Sequence, residues 1–220
     1  VCFLGLVGAD GASAAMNVGL ATSMDKVMIK AIHNGWPLEG WVADHYDLAL
    51  ARNEHEAFQV IVWSDQALSN VNVSVSSLTG LNGAGPFDGA VQVWLVGHVD
   101  VSDDPIDNLD IAYPPHVVGY TGWWPDPLLT FMNTCSINAN DRVAFWVDLA
   151  TTGNTPPGDY TATVTVSAAG QSPVALQLNV TVWDFNVPVL SSLPTAMSCD
   201  LGKAQSLYGS TAWTTYGIKL

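Results

Sequence analysis

Three aromatic rings and a carboxylate fall between residues 120 and 126, in the run Gly119-Tyr-Thr-Gly-Trp-Trp-Pro-Asp-Pro-Leu-Leu129. Aromatic faces stack on the apolar C–H faces of sugars, and a nearby carboxylate accepts hydrogen bonds from hydroxyls. Tyr120, Trp123, Trp124 and Asp126 are therefore a candidate saccharide platform. An Asp held between two prolines could equally brace a contact with neighbouring protein. A second cluster comprises Asp100, Asp103, Asp104, Asp107 and Asp110. Carboxylates so close in sequence repel unless a cation or solvent intervenes, and oxygen-rich loops suit Ca²⁺, so these five are candidate calcium ligands. The spacing is not that of an EF-hand, and a solvated acidic loop accounts for it as well.

The remaining reactive residue types argue against bond cleavage within this chain. Glu54 and Glu56 are two apart and point to one side of a strand, a superficial likeness to the paired acids of glycosidases. Their expected work is to hold Arg52, Arg142 or a backbone amide where the strand begins. His33, His45, His55, His98 and His116 include no pair at the i, i+4 spacing of a helical zinc site, and only His98, near Asp100, approaches a mixed metal-ligand set. No phosphate-cradling glycine loop and no G-x-S-x-G elbow occurs. No residue is assigned a catalytic role.

Composition sets the kinds of partner. Six Lys and Arg stand against 20 Asp and Glu, for a net charge of −14 over 220 residues. A nucleic-acid backbone would be repelled by such a chain. Hydrophobic residues make up 49% of the sequence and charged residues 12%, about half the usual ~25%, so Ser, Thr, Asn and Gly must build the polar surface. No apolar run reaches the roughly 18 residues of a membrane-spanning helix. Val1 to Gly8 followed by Ala12-Ser-Ala14 reads either as the tail of a secretory signal or as an extra N-terminal strand. The sequons at Asn72 and Asn179 are candidate glycosylation sites and favour a secreted, extracellular or periplasmic location. Cys2, Cys135 and Cys199 allow at most one intrachain disulfide, with no pairing preferred; three reduced thiols are the alternative.

These residues must be positioned by strands. Between residues 42 and 186 apolar residues alternate with polar ones, and helical periodicity is nearly absent. The runs 18–28, 47–51, 57–63, 71–75, 91–99, 142–149, 159–167 and 174–183 read as strands. Turn signals divide them at Asn34-Gly35, residues 81–86, residues 152–158 and Ala169-Gly170. In the third of these, Pro156-Pro157 fixes φ and Gly158 frees it, which predicts a hairpin. Eight or nine strands with short links predict an all-β, two-sheet antiparallel β-sandwich of immunoglobulin or jelly-roll type over residues 17–187. Pro188 and Pro194 then bracket a Ser-rich linker.

Three motifs in order carry a resemblance. Ala51-Arg-Asn-Glu-His-Glu-Ala-Phe-Gln59 fits an ARxExExFQ strand, Trp124-Pro-Asp-Pro-Leu128 a W-P-D-P-L loop, and Trp146-Val-Asp148 with Pro156-Pro-Gly-Asp-Tyr160 a W-V-D…P-P-G-D-Y hairpin. Together they resemble the β-sandwich that precedes the catalytic barrel in glycoside hydrolase family 123 and related proteins, over about three quarters of the chain. Asn53, His55 and the acidic stretch from Asp100 to Pro115 depart from that pattern.

The resemblance implies that the sugar-cleaving carboxylates lie in a barrel absent from these residues. It also implies that the W-P-D-P-L segment packs at the junction with that barrel, and that residues 188–220 comprise the linker and a short stub of the α/β barrel, which normally takes ~250 residues to close. The expected function is a non-catalytic accessory sandwich of a secreted glycoside hydrolase-like protein, with a glycan or its own barrel as partner. Two further readings stay open. A low-charge chain with nine tryptophans could self-associate into a fibre or surface layer, and a free-standing carbohydrate-binding module would bind glycans without turnover.

Overall fold

The computed structural model describes residues 16–29, 43–101, 122–190 and 206. Among the described residues the strands are β1 Asn17–Thr22, β2 His45–Arg52, β3 His55–Ser64, β4 Leu68–Val75, β5 Thr79–Gly80 and β6 Gly89–Val101. They continue with β7 Gly122–Leu129, β8 Thr134–Ile137, β9 Asp141–Thr151, β10 Gly158–Ser167 and β11 Val174–Asn186. Sheet A has five strands in the order β1-β3-β9-β6-β7, and sheet B has six, in the order β2-β11-β10-β4-β8 with β5 paired to β10.

Period-two patterning makes this a sandwich. Val143, Phe145, Val147 and Leu149 of β9 and Phe58, Val60 and Val62 of β3 are buried, as are Tyr160, Ala162, Val164 and Val166 of β10 and Leu176, Leu178, Val180 and Val182 of β11. All belong to one cluster between the sheets. Each fully buried Val, Leu or Phe contributes about 1.5–3 kcal/mol. The residues between them, such as Thr161, Thr163 and Thr165 of β10, point the other way. Local hydrogen bonds fix the corners. The Tyr160 hydroxyl donates to the Pro156 carbonyl at 2.6 Å, and the Thr155 hydroxyl donates to the Asp88 carbonyl.

The structure departs from the sequence expectations in several places: the run 18–28 is a strand only as far as Thr22, and three larger differences follow. First, the sandwich is not wholly antiparallel: β2 runs parallel to β11, with His45–Leu50 alongside Gln177–Val182. No hairpin joins these strands, so the constraint that makes short connections antiparallel does not act on them. Second, residues 152–158 do not form a hairpin, because β9 belongs to sheet A and β10 to sheet B. Gly158 has φ of 139°, and a Cβ there would lie 2.9 Å from the Ala84 Cβ. These residues turn the chain from one sheet to the other rather than back on itself.

Third, the W-P-D-P-L segment is strand β7 rather than a loop. Its prolines are tolerated because β7 lies at the edge of sheet A. Val96 pairs with Leu128 but His98 pairs with Pro125, so one extra residue bulges out of β7 around Asp126-Pro127. Gly97 lies opposite the bulge, and a Cβ there would come within 2.9 Å of Pro127 Cγ and 3.1 Å of Leu129.

Sheet A also carries apolar residues on its outer face. Its Ala21, Ile61, Val96 and Ala144, with Val27 of the following stretch, form a second, smaller cluster against Trp63 and Trp146. The stretch after β1 covers it as a strap. The buried Gln59 amide donates to the Thr22 and Asp25 carbonyls, each at 2.8 Å, and His98 Nε2 donates to the Val27 carbonyl at 2.9 Å.

The chain divides into two compact units, Val1–Val187 and Pro188–Leu220. Of the segment expected over residues 1–16 as a signal remnant or extra strand, all but Met16 lies outside the described residues, as does the barrel start expected over 195–220 apart from Ser206. Among the described residues no helix is long and apolar enough to cross a membrane.

Candidate functional site

The ARNEHEAFQ stretch spans the passage from sheet B to sheet A. Asn53 takes a left-handed φ of 58°, which Asn tolerates at tight turns. The Glu54 carboxylate accepts the Ala51 amide at 2.5 Å. The buried Thr151 hydroxyl donates to the Ala51 carbonyl at 2.7 Å and accepts the Glu54 amide at 3.1 Å. Arg52 pairs with Asp184 at 3.0 Å, and Asn53 Nδ2 donates to the Val187 carbonyl at 2.7 Å. Glu54 is thus a brace where the strand begins. Glu56, on β3 itself, does not join it in a common site.

The candidate platform residues separate. Trp123 forms an isolated bridge with Ile29. Trp124 is covered by Lys26, whose Nζ lies 5.2 Å from the ring centroid, a cation–π contact. Asp126, exposed on the β7 bulge, opens instead into a groove of about 290 Å³ on the outer face of sheet A. One wall is the strap, through Met24, Asp25 and Lys26, and the other is β7, through Asp126 and Leu128; Trp146 and Gln59 form the floor. Tyr120 lies outside the described residues.

Trp146 was not singled out as a site residue from sequence. It sits on β9, the central strand of sheet A, directly opposite Gln59 of β3 on one side and Trp94 of β6 on the other. Beyond Trp146 a second concavity of about 230 Å³ is lined by His55, Glu56 and Asp148; His55 Nδ1 and Asp148 Oδ2 are 3.1 Å apart. Beyond Trp94 a third, of about 360 Å³, is lined by Gln92, Phe131 and Met132. The two tryptophans, half-buried on neighbouring strands, are thus cross-strand neighbours, with carboxylates lining the concavities at Trp146 and amides the one at Trp94. One sequence signal was available: Ala144, Trp146 and Asp148 share the face that alternation turns away from the core.

The other candidates are placed as follows. Asp100 is exposed at the end of β6, while Asp103, Asp104, Asp107 and Asp110 lie outside the described residues. Among the described residues no three His, Cys, Asp or Glu side chains are grouped to hold a metal. Both sequon amides are engaged as donors, Asn72 Nδ2 to the Asn133 carbonyl at 2.7 Å and Asn179 Nδ2 to Asp47 at 2.8 Å. Burial lowers the pKa of His98, with its bond to the Val27 carbonyl acting in the opposite direction. Burial also pushes the Cys135 thiol up to about 11. Cys2 and Cys199 lie outside the described residues.

The fold is similar to that of a family 123 glycoside hydrolase from Clostridium perfringens, with 13% identity and a TM-score of 0.61, over 79% of this chain and 28% of that one. The chain thus spans 28% of that enzyme's length. Two weaker likenesses carry no argument. AvmM, which catalyses macrocyclization in alchivemycin A biosynthesis, has 11% identity and a TM-score of 0.37 over 79% of this chain and 93% of that one. The N-terminal domain of PorA has 9% identity and a TM-score of 0.32 over 76% and 97%. No curated protein matches the chain. The model of the glycoside hydrolase 123 N-terminal domain matches residues 36–168, most of the sandwich and the three motifs within it, and the chain belongs to that family.

Proposed function

We propose that this chain is the non-catalytic accessory sandwich of a secreted glycoside hydrolase-like protein, supporting a glycan-processing barrel. The observation that carries the reading is the coincidence of a family-123 N-terminal match over residues 36–168 with a fold likeness confined to 28% of a family 123 enzyme. That enzyme is described as acting on the glycans of glycolipids, which makes a glycan the natural class of substrate for the parent protein. The acids of the sandwich support a structural reading: Glu54 braces the turn between β2 and β3, Asp184 pairs with Arg52 and Asp148 lies against His55. The two sequons favour passage through a secretory route.

The test joins residues 1–220 ahead of a family 123 catalytic barrel and compares the fusion with the barrel alone. The expected result is a higher melting midpoint or specific activity in the fusion. Equal stability and equal activity with and without the sandwich would remove the supporting role. Self-association is a second reading, favoured by one observation, the exposure of Phe131 (80%) at the β7–β8 turn. Size-exclusion chromatography across a hundredfold concentration range checks it, and a constant monomer elution volume would discard it.

A further inference from the structure

We propose that the outer face of sheet A, centred on Trp146, is a binding subsite for a neutral glycan chain. The proposal rests on the accessory reading above but can fail independently of it. It also moves the sugar contact away from the Trp123-Trp124 pair, to residues far apart in the sequence.

Four features lead to this ligand class. Trp146 floors an open groove rather than a closed cavity, with the strap and the β7 bulge as its two walls. Such a shape admits a chain passing through rather than a small molecule enclosed on all sides. Trp94 is the direct cross-strand neighbour of Trp146. Adjacent strands lie about 4.8 Å apart, so the two tryptophans start from backbone positions separated by a step comparable to one pyranose ring. The concavities on either side prolong the track, toward Asp148 and Glu56 at one end and toward Gln92 and Phe131 at the other.

The polar groups along this track are mostly acceptors suited to hydroxyls. Asp126 is exposed at the groove wall, Asp25 stands on the opposite wall, and Asp148 and Glu56 lie beyond Trp146. Lys26, the one lysine lining the groove among the described residues, is engaged over the Trp124 ring. Carboxylates here would repel uronate or sialate groups, so the ligand is neutral. Asp25 already accepts from Thr22 and Asp148 lies against His55, but an apolar protein partner would desolvate the remaining carboxylate oxygens without supplying donors, at a cost that hydroxyl donors do not impose.

The groove is also held in shape before any ligand arrives. Gln59 ties the strap at the Thr22 and Asp25 carbonyls, His98 ties it at the Val27 carbonyl, and Gly97 makes room for the β7 bulge. Binding therefore orders little of the protein, which favours measurable affinity from a shallow site.

The experiment is calorimetric titration of the purified chain with hexamers of β-linked glucose, N-acetylglucosamine and galactose, and with a galacturonate hexamer. At least one neutral hexamer is expected to bind and the galacturonate hexamer is not. Trp146→Ala should lower the affinity about tenfold, the size of one lost aromatic contact, and Asp126→Asn should lower it without altering the melting midpoint. Trp183→Ala, on an exposed ring of β11, should leave it unchanged.

No binding of any neutral hexamer overturns the proposal, as does galacturonate binding of equal strength. An effect of Trp183→Ala equal to that of Trp146→Ala overturns it too. If Trp146→Ala leaves glycan binding intact but lowers the melting midpoint of the chain fused to a barrel, the face is a domain contact and the proposal is wrong. Failure to bind any glycan, with the fusion still stabilised, leaves the accessory reading standing.

Discussion

Replacing Thr151 with Val probes the junction on which the rest of the sandwich is hung. Thr151 ends β9, and its hydroxyl donates to the Ala51 carbonyl at 2.7 Å and accepts the Glu54 amide at 3.1 Å. It thereby fixes the turn that carries the chain from sheet B to sheet A. Valine has nearly the same shape, so the substitution removes the polar contacts and little else. Leaving a buried donor or acceptor unsatisfied costs about 1–3 kcal/mol for each group. The added methyl returns about 0.8 kcal/mol of apolar burial, and partial hydration of the Glu54 amide softens the loss, so the net cost is about 1–3 kcal/mol. For a domain of this size each kcal/mol moves the melting midpoint by about 2–4 °C, which gives a fall of about 2–12 °C.

Thr151→Ser is the control: it keeps the hydroxyl and loses one methyl, at about 1 kcal/mol. Chemical denaturation and calorimetry on both variants read the order directly. Valine should be the more damaging of the two. A serine variant less stable than the valine variant would refute the reasoning, because packing rather than hydrogen bonding would then hold the crossing.

Four further outcomes follow from the same structure. Phe58→Ala, which empties a fully buried site stacked on Tyr46 at a centroid distance of 4.6 Å, should cost about 3–5 kcal/mol in urea denaturation. Gly97→Val should lower stability by about 1–3 kcal/mol by overpacking and shift the β7 amide resonances, since its Cβ would lie 2.9 Å from Pro127. His98 has its folded pKa lowered by burial, so the unfolded chain binds a proton first as pH falls below about 6.5. His98 therefore contributes a loss of stability from there down through its folded pKa, and His98→Gln should flatten that part of the pH–stability curve. With Cys2 and Cys199 replaced by Ser, Cys135, whose thiol burial pushes up to about 11, should react with iodoacetamide at pH 8 about a hundredfold more slowly folded than unfolded.

Sandwich architecture was legible wherever one face of a strand is buried and the other is not. The alternation over 142–149, 159–167 and 174–183 finds β9, β10 and β11 nearly in full; in β10 and β11 the inward Tyr160 and Leu178 are bounded by polar neighbours, and in β9 the β-branched and aromatic residues of the inward face recur at every second position. Connectivity was less legible. Pro156, Pro157 and Gly158 announce a change of direction, but nothing in them says whether the next strand joins the same sheet or the facing one. The parallel partner of β2 lies more than a hundred residues along the chain, beyond the reach of any local pattern. In β7 the two prolines argue against a central strand and so hid an edge strand whose bulge accommodates them.

The candidate site was legible only in part for a related reason. Asp126 was found because it stands among aromatic residues in sequence, yet the ring it shares a groove with is Trp146. The ring next to it in the chain, Trp124, is taken up by Lys26. Pairing Trp146 with Trp94 needs the β6–β9 register, which alternation alone does not supply. Glu54 was legible as a brace because it falls just before an apolar run, at the start of a strand.

The claim that this sandwich performs no glycosidic chemistry of its own is tested most directly by incubating the purified 220-residue chain with a panel of chromogenic glycosides, at concentrations that would reveal a single turnover per hour. The account predicts release no faster than in buffer, unchanged by Asp126→Asn or Glu56→Gln. Saturable hydrolysis that either substitution abolishes would contradict it.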